Sequence, residues 1–191
     1  VVSAMSDPNP RVAGQGVAAL TAAGLRVEGG LMQAQAEALN PGFISRMQRA
    51  LPYVRAKLAA SLDGRTALAN GASQWITGEA ARADVQALRA RSSAILTGIG
   101  TVLADDPSLS VRAFDIGRQP LRVVVDGGLR MPATAKMLRL PGSTLIATAR
   151  DDGAVAARLV EAGAEVLLLP ADSGRVDLAA LMQHLAARAI N

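Results

Sequence analysis

The sequence predicts an α/β fold built on a mostly parallel sheet with flanking helices. Three observations carry this expectation. Short apolar runs, SAILT, LRVVV, TLIAT and EVLLL, recur through the C-terminal half of the chain. Stretches of helical character stand between several of them. The runs themselves lack polar alternation, as strands covered on both faces do. Strands alternating with helices in this way belong to sheets whose neighbours run parallel.

The elements follow in order. VVSAM reads as a buried strand, and DPNP after it as a turn. Val12 to Ala23 reads as a helix, with Gly24 where a left-handed C-terminal cap belongs. Leu25 to Val27 is a short strand and Leu31 to Leu39 a second helix. Asn40-Pro41-Gly42 is a breaker cluster, followed by a helix from Phe43 to Arg49. From Tyr53 the pattern restarts. Tyr53 to Leu62 alternates as a strand, with Val54, Ala56, Leu58 and Ala60 on one face, and Asp63-Gly64 turns the chain. Thr77 is the expected N-cap of a helix reaching about Arg91, helped by Glu79 in its first turn, with Ala81, Val85 and Leu88 inward. Ser93 to Thr97 is a strand that turns through Gly98-Ile99-Gly100-Thr101 into a short helix, Val102 to Asp105. Then come strand Leu121–Val125, strand Thr144–Thr148, helix Asp151–Ala162, strand Glu165–Leu169 and helix Asp177–Arg188. Residues 1–50 read as the closing elements of one domain with its linker, and 51–191 as a second domain without its final part. Both ends read as cuts through a longer protein.

Composition narrows the function. Half of the 191 residues are apolar but only four are aromatic, Phe43, Tyr53, Trp75 and Phe114. The core must therefore be aliphatic. The net charge is +4, nearly all of it from scattered arginines, since Lys57 and Lys136 are the only lysines. Scattered cations with so few aromatics do not make a base-stacking platform, and a small anionic ligand fits better than nucleic acid. Without cysteine there is no disulfide and no thiolate metal site, and His184 has no ligand partner at suitable spacing. No apolar run approaches the ~18 residues of a membrane span, so a cytoplasmic protein with no membrane partner is expected.

Several constellations could carry chemistry. In ILTGIGTVLADD a strand passes through Gly-x-Gly into a helix. Such glycines either let backbone N–H groups approach a phosphate or merely allow a tight turn. Trp75, among Ser73, Gln74 and Thr77, either plugs a hydrophobic gap or stacks on a flat ring. Asp105-Asp106-Pro107 offers paired acids, or an ordinary helix end. Arg89, Arg91 and Arg112 suit bidentate phosphate recognition, or a solvated face. Lys57 lies inside the apolar strand expected at 53–62, a place for a ligand-facing ammonium.

KLAASLDGRTA, SQWIT and ARADVQALRARSSAILTGIGTVLADDPSLSVR, in this order, resemble the opening of the reductase domain of the bifunctional riboflavin-biosynthesis deaminase–reductases. The resemblance is dense from Pro52 to Arg112 and continues as a pattern through VVVDGGLRMP. The segment from Val1 to Phe43 resembles the tail of the same family's deaminase domain. The fold this implies is a dihydrofolate-reductase-like sheet after the last strand and helix elements of a cytidine-deaminase-like domain. The function implied is NADPH-dependent reduction of the ribosyl group of 5-amino-6-(5-phosphoribosylamino)uracil to the ribityl product, by direct hydride transfer. The rival class is a non-catalytic α/β nucleotide- or phosphate-binding module.

Carried over by position, the resemblance implies that Ala59, Trp75, Thr101 and Asp105 contact the cofactor, NADPH. Ser73, Arg89, Leu109 and Arg112 match positions that contact the phosphorylated pyrimidine substrate. Lys57 matches a lysine near the reacting carbon, with a role in polarising or orienting the ribose. Gly127 takes a cofactor-contacting position where the family carries Ser, so that a side-chain hydrogen bond is lost. The family's Gly-rich E-A-G-P-T-like segment does not occur within these residues, and the chain alone is expected to be inactive or nearly so. The deaminase zinc motif, H-x-E with P-C-x-x-C, is missing as well, which leaves zinc to the deaminase part of the parent and no metal for this chain. The resemblance further implies a homo-oligomer in the full-length parent.

Overall fold

The computed structural model describes residues 1–191. The elements are β1 (Val2–Ser3), α1 (Gln15–Ala22), β2 (Glu28–Gly29), α2 (Gln33–Leu39), α3 (Pro41–Arg49), α4 (Glu79–Ala90), β3 (Ala94–Gly98), α5 (Ile99–Asp105), β4 (Leu121–Val125), a 3-10 turn (Lys136–Arg139), β5 (Thr144–Thr148), α6 (Gly153–Glu161), β6 (Ala164–Leu168) and α7 (Leu178–Ala187). They form two compact units. One comprises residues 1–55 with 179–191, the other residues 56–178. No helix is long and apolar enough to cross a membrane.

The larger unit holds a four-stranded, wholly parallel sheet in the order β3-β4-β5-β6. The mostly parallel α/β class is therefore the one observed. Its register places Thr97, Val124, Ile146 and Val166 side by side on one face. Val124 and Ile146 pack there with Ile99 and Val102 of α5, Met137 of the 3-10 turn and Leu159 of α6. The connections between these strands thus gather on one face rather than being shared between two. Right-handed crossovers between strands kept in sequential order require this. Val123, Leu145 and Ala147, on the opposite face, are fully buried too, which is why these runs carry no polar alternation.

Local rules set the ends of the elements. Asp152 caps α6, its carboxylate accepting the Val155 N–H at 3.1 Å. Gly24 follows α1 at φ 77, as expected of a left-handed cap. Asn40-Pro41-Gly42 does not separate helices as a loop. Asn40 is the N-cap and Pro41 the first residue of α3, where a missing N–H costs nothing. α4 is capped one residue later than expected, by Gly78. The carbonyl of Thr77 instead accepts from Arg82 at 2.6 Å. Ala81 is exposed while Val85 and Leu88 are half-buried, so the inward stripe of α4 begins a turn later.

Three expected strands are not built as read. VVSAM contributes only Val2–Ser3, with Val1 and Val2 exposed. Leu25 to Val27 forms no strand, and the partner of Val2–Ser3 is Glu28–Gly29, where the chain comes alongside it. Tyr53 to Leu62 forms no strand. Alternation names the side that a strand would bury but supplies no partner, and a strand without a hydrogen-bonding neighbour is not stable. Two tight turns close this stretch of chain. Ser61 N–H donates to Arg65 O at 2.9 Å around Gly64, and Leu68 N–H to Ala72 O at 2.8 Å around Gly71. Both glycines lie at positive φ, 81° and 82°, so the Asp63-Gly64 turn is present.

Candidate active site

The carboxyl ends of β3 and β4 lie side by side, with Gly98 opposite Val125 in the register. From this edge the chain runs through Gly98 directly into α5, and through Asp126-Gly127-Gly128 away from β4. In an open parallel sheet the carboxyl ends of the strands are where ligands bind. Gly98 is extended, at φ −89 and ψ 157, and neither Gly98 nor Gly100 is among the residues at positive φ. A Cβ added at either would meet nothing within 4 Å. The tight-turn explanation of Gly-x-Gly therefore finds no support in the backbone or in the packing. Room for an approaching ligand remains.

Thr101 and Asp105 sit four residues apart on α5 and share a face. Both are exposed, whereas Ile99 and Val102 hold the helix to the core. Asp105 stands in the last turn, where a carboxylate gains nothing from the helix dipole, and it enters no ion pair. Its neighbour Asp106 has a structural task. It takes a left-handed φ of 40 as C-cap and accepts the Lys136 N–H at 2.8 Å. The Asp-Asp pair thus divides into one anchoring and one outward carboxylate, and no three His, Asp or Glu side chains gather in a way that could hold a metal.

Gly127 begins the turn after β4. A Cβ there would meet only Val176 Cγ2, at 3.9 Å, so nothing in the packing demands glycine. The preceding Asp126 is fully buried and accepts the Met131 N–H at 2.8 Å. It fixes the turn that carries Gly127.

The second cluster gathers at the end of α4. Arg89 Nη1 donates to Ser110 O at 3.3 Å, and Gln86 Oε1 accepts the Arg112 N–H at 3.1 Å. Gln119 clamps Val111 from the other side, accepting its N–H at 2.8 Å and donating to its carbonyl at 3.1 Å. Leu109 is buried at a left-handed φ of 48. Arg89, Leu109 and Arg112 are therefore brought together, whereas Arg91 is exposed beyond the helix end. Burial holds the Arg89 guanidinium below its ordinary value, and the charge of Arg112 adds to the effect. Neither arginine joins a carboxylate, since the ion pairs are Arg26–Glu28, Arg65–Asp63 and Arg150–Asp152. A partly buried guanidinium with an exposed second cation beside it complements an anion. Gln86 and Gln119 carry no motif that marks them in the sequence. Gln86 lies three residues before Arg89 on the same helical face, and that spacing is the available signal. Gln119 offers none.

The remaining candidates lie on the segment without strand pairing. Trp75 is 70% exposed and its ring is covered by Arg82, 4.6 Å from the centroid. It is no hydrophobic plug. Ser73 and Ala59 are half-buried. Lys57 is exposed and in no ion pair, not within an apolar strand.

Residues 52–191 match the family described as the RibD C-terminal domain. The chain belongs to that family. The riboflavin biosynthesis protein RibD of Escherichia coli (strain K12) is 45% identical over the whole chain, which covers 54% of that protein. RibD of Bacillus amyloliquefaciens is 43% identical, again over the whole chain and 51% of its own length. Among solved structures, Acinetobacter baumannii RibD superposes with a TM-score of 0.85 at 44% identity, over 99% of this chain and 51% of that one. A Thermotoga maritima protein described as a diaminohydroxyphosphoribosylaminopyrimidine deaminase/5-amino-6-(5-phosphoribosylamino)uracil reductase does so with a TM-score of 0.82 at 29% identity, over 100% of this chain and 51% of that one. The chain spans about half the length of the relatives it matches. Within the RibD C-terminal domain both clusters, the glycine edge and the arginine pair, fall in the 56–178 unit.

Proposed function

We propose that this chain carries the reductase site of a bifunctional riboflavin-biosynthesis protein. The substrate is 5-amino-6-(5-phosphoribosylamino)uracil, and its ribosyl group is reduced to ribityl at the expense of NADPH. The observation that carries this reading is the arginine pair. Arg89 and Arg112 stand together without a carboxylate, and a ribose 5-phosphate is an anion they can hold in bidentate fashion. The glycine edge supports a nucleotide cofactor, since backbone open to 4 Å at Gly98 and Gly100 fits a pyrophosphate.

When bound, the nicotinamide would supply a hydride to C1 of the ribose, opening the C1–O bond of the ring, while the ring oxygen stays on C4 and takes a proton from solvent to become a hydroxyl. The protein's part is to place the two partners. Thr101 and Asp105 offer a hydroxyl and a carboxylate to the cofactor from one face of α5, and Ala59 leaves its backbone approachable. Trp75 presents the indole face not covered by Arg82. Ser73 and Leu109 border the substrate, with Arg89 and Arg112 on its phosphate. Lys57 orients the ribose near C1. Gly127 touches the cofactor through its backbone alone.

Residues 1–50 belong, on this reading, to the end of the parent's deaminase domain, with zinc bound elsewhere in the parent and no metal in this chain. The parent acts in the cytoplasm as a homo-oligomer. The test is NADPH oxidation by the parent protein with the ribosylamine substrate, followed by absorbance. Turnover lost in Arg89→Ala and recovered in part by Arg89→Lys supports the reading. Turnover indifferent to both arginines overturns it, and binding of both ligands without turnover is the mark of a non-catalytic module.

A further inference from the structure

Beyond Gly127 the structure offers a feature that the reductase reading has not used. A cavity of about 290 Å³ opens beside the end of β4, lined by Val125, Gly127, Gly174, Arg175, Val176 and Leu178. All six belong to the 56–178 unit. Val176 is buried and faces the empty Cβ position of Gly127 at 3.9 Å. Arg175 is carried by a small hairpin. Pro170 pairs with Val176 in an antiparallel bridge, Ala171 N–H donates to Arg175 O at 2.8 Å, and Gly174 turns the chain at φ 69. Its backbone is therefore fixed while its side chain is exposed.

Among the other arginines around the sheet ends, Arg130 is exposed beside Gly128 and does not line this cavity. Arg150 is paired with Asp152 at 2.8 Å, and Arg122 is buried against carbonyls of residues 140–143. No hydrogen bond or ion pair holds the Arg175 guanidinium. The cavity thus combines apolar walls, glycine backbone and one free cation. Its volume falls just below that of small-molecule sites, roughly 300–1,000 Å³, and suits part of a dinucleotide rather than the whole. Gly98, where the backbone is open to a pyrophosphate, stands opposite Val125, which lines this cavity, so the cavity is the next place along the strand ends.

We infer that this cavity takes the adenosine end of the cofactor and that Arg175 reads its 2′-phosphate, so that Arg175 sets the preference for NADPH over NADH. The inference rests on the reductase reading. A guanidinium forms bidentate hydrogen bonds to a phosphate, and a ribose lacking that phosphate offers it nothing comparable. The free cation therefore discriminates between the two dinucleotides without contributing equally to both.

The test is calorimetric titration of the parent protein with NADPH, NADH, 2′,5′-ADP and 5′-ADP. Wild type is expected to bind NADPH more tightly than NADH, and 2′,5′-ADP more tightly than 5′-ADP. Arg175→Ala is expected to weaken NADPH and 2′,5′-ADP about tenfold, leaving NADH and 5′-ADP unchanged. Arg175→Lys should fall between. Arg158→Ala, an exposed charge on α6, should change none of the four, and circular dichroism checks each variant for folding. An NADPH-to-NADH ratio insensitive to Arg175, or an equal loss for both, overturns the inference while leaving the reductase reading intact. Failure of wild type to bind either dinucleotide overturns both.

Discussion

Arg122 and Arg89 are both withdrawn from water, and burial lowers the proton affinity of each guanidinium. Their surroundings differ in kind. Arg122, in the middle of the sheet, donates to the carbonyls of Leu140, Pro141, Gly142 and Ser143. The loop between the 3-10 turn and β5 is shaped around it, down to Gly142 at φ 101, where a Cβ would strike Gln119 at 2.8 Å. Arg89 has one long hydrogen bond, to Ser110 O at 3.3 Å, and a second cation beside it. Arg122 has carbonyls of its own chain on Nε and Nη2, and only Nη1 is buried without a partner. Arg89 is held in a place its own chain does not make comfortable. Within one domain, a buried charge with internal partners reads as architecture, and one with a like-charged neighbour reads as an unmet demand for a ligand.

Substitutions can separate the two. The largest expected effect is on stability. Arg122→Met should cost about 3 kcal/mol, because it strips several carbonyls of their charged donor. Urea unfolding would measure it, and a loss below about 1 kcal/mol would say that the loop does not depend on this residue. Next comes Arg89→Ala, expected to weaken the phosphorylated substrate about 50-fold, roughly 2.3 kcal/mol by the tenfold rule, with little change in urea midpoint. A comparable loss of stability in both variants would erase the distinction between the two arginines.

Gly100→Ala gives a smaller and two-sided result. With no positive φ and no contact within 4 Å, alanine should stabilise α5 by about 0.5–1 kcal/mol. The same methyl should weaken NADPH several-fold by standing where the cofactor backbone contact is. Stabilisation without loss of binding would move the cofactor away from this turn. The smallest effect is expected of Gly127→Ser. The side chain has room, with its nearest neighbour at 3.9 Å, and one added hydrogen bond should tighten NADPH a few-fold. Fluorescence titration of Trp75 follows both.

How far the sequence spoke depends on whether an element carried its own explanation. The strands of the sheet were legible because unbroken apolar runs such as LRVVV and TLIAT are buried on both faces. Boundaries slipped by a residue or two where caps competed, as at Thr77 and Gly78. Tyr53 to Leu62 was misread because alternation is a statement about faces, while pairing depends on residues elsewhere in the chain. That error carried Lys57 with it, from a strand interior to an exposed position. The glycine turn was legible as a motif, but its two meanings separated only when Gly98 and Gly100 proved free of strain and contact. The arginine pair could be named but not assembled. Leu109 at a left-handed φ and the brackets from Gln86 and Gln119 bring Arg112 to Arg89, and none of these leaves a periodic trace.

The most direct test of the contrast is a thermal-shift titration with ribose 5-phosphate on wild type and Arg112→Ala. If the pair exists for a ligand, Arg112→Ala is as stable as wild type without ligand. Ribose 5-phosphate at a hundredfold excess over its Kd then raises the wild-type Tm by about 5 °C or more, and the variant loses most of that shift. An Arg112→Ala chain that is clearly destabilised on its own, or that keeps the full shift, would mean that the pair is structural and that the phosphate binds elsewhere.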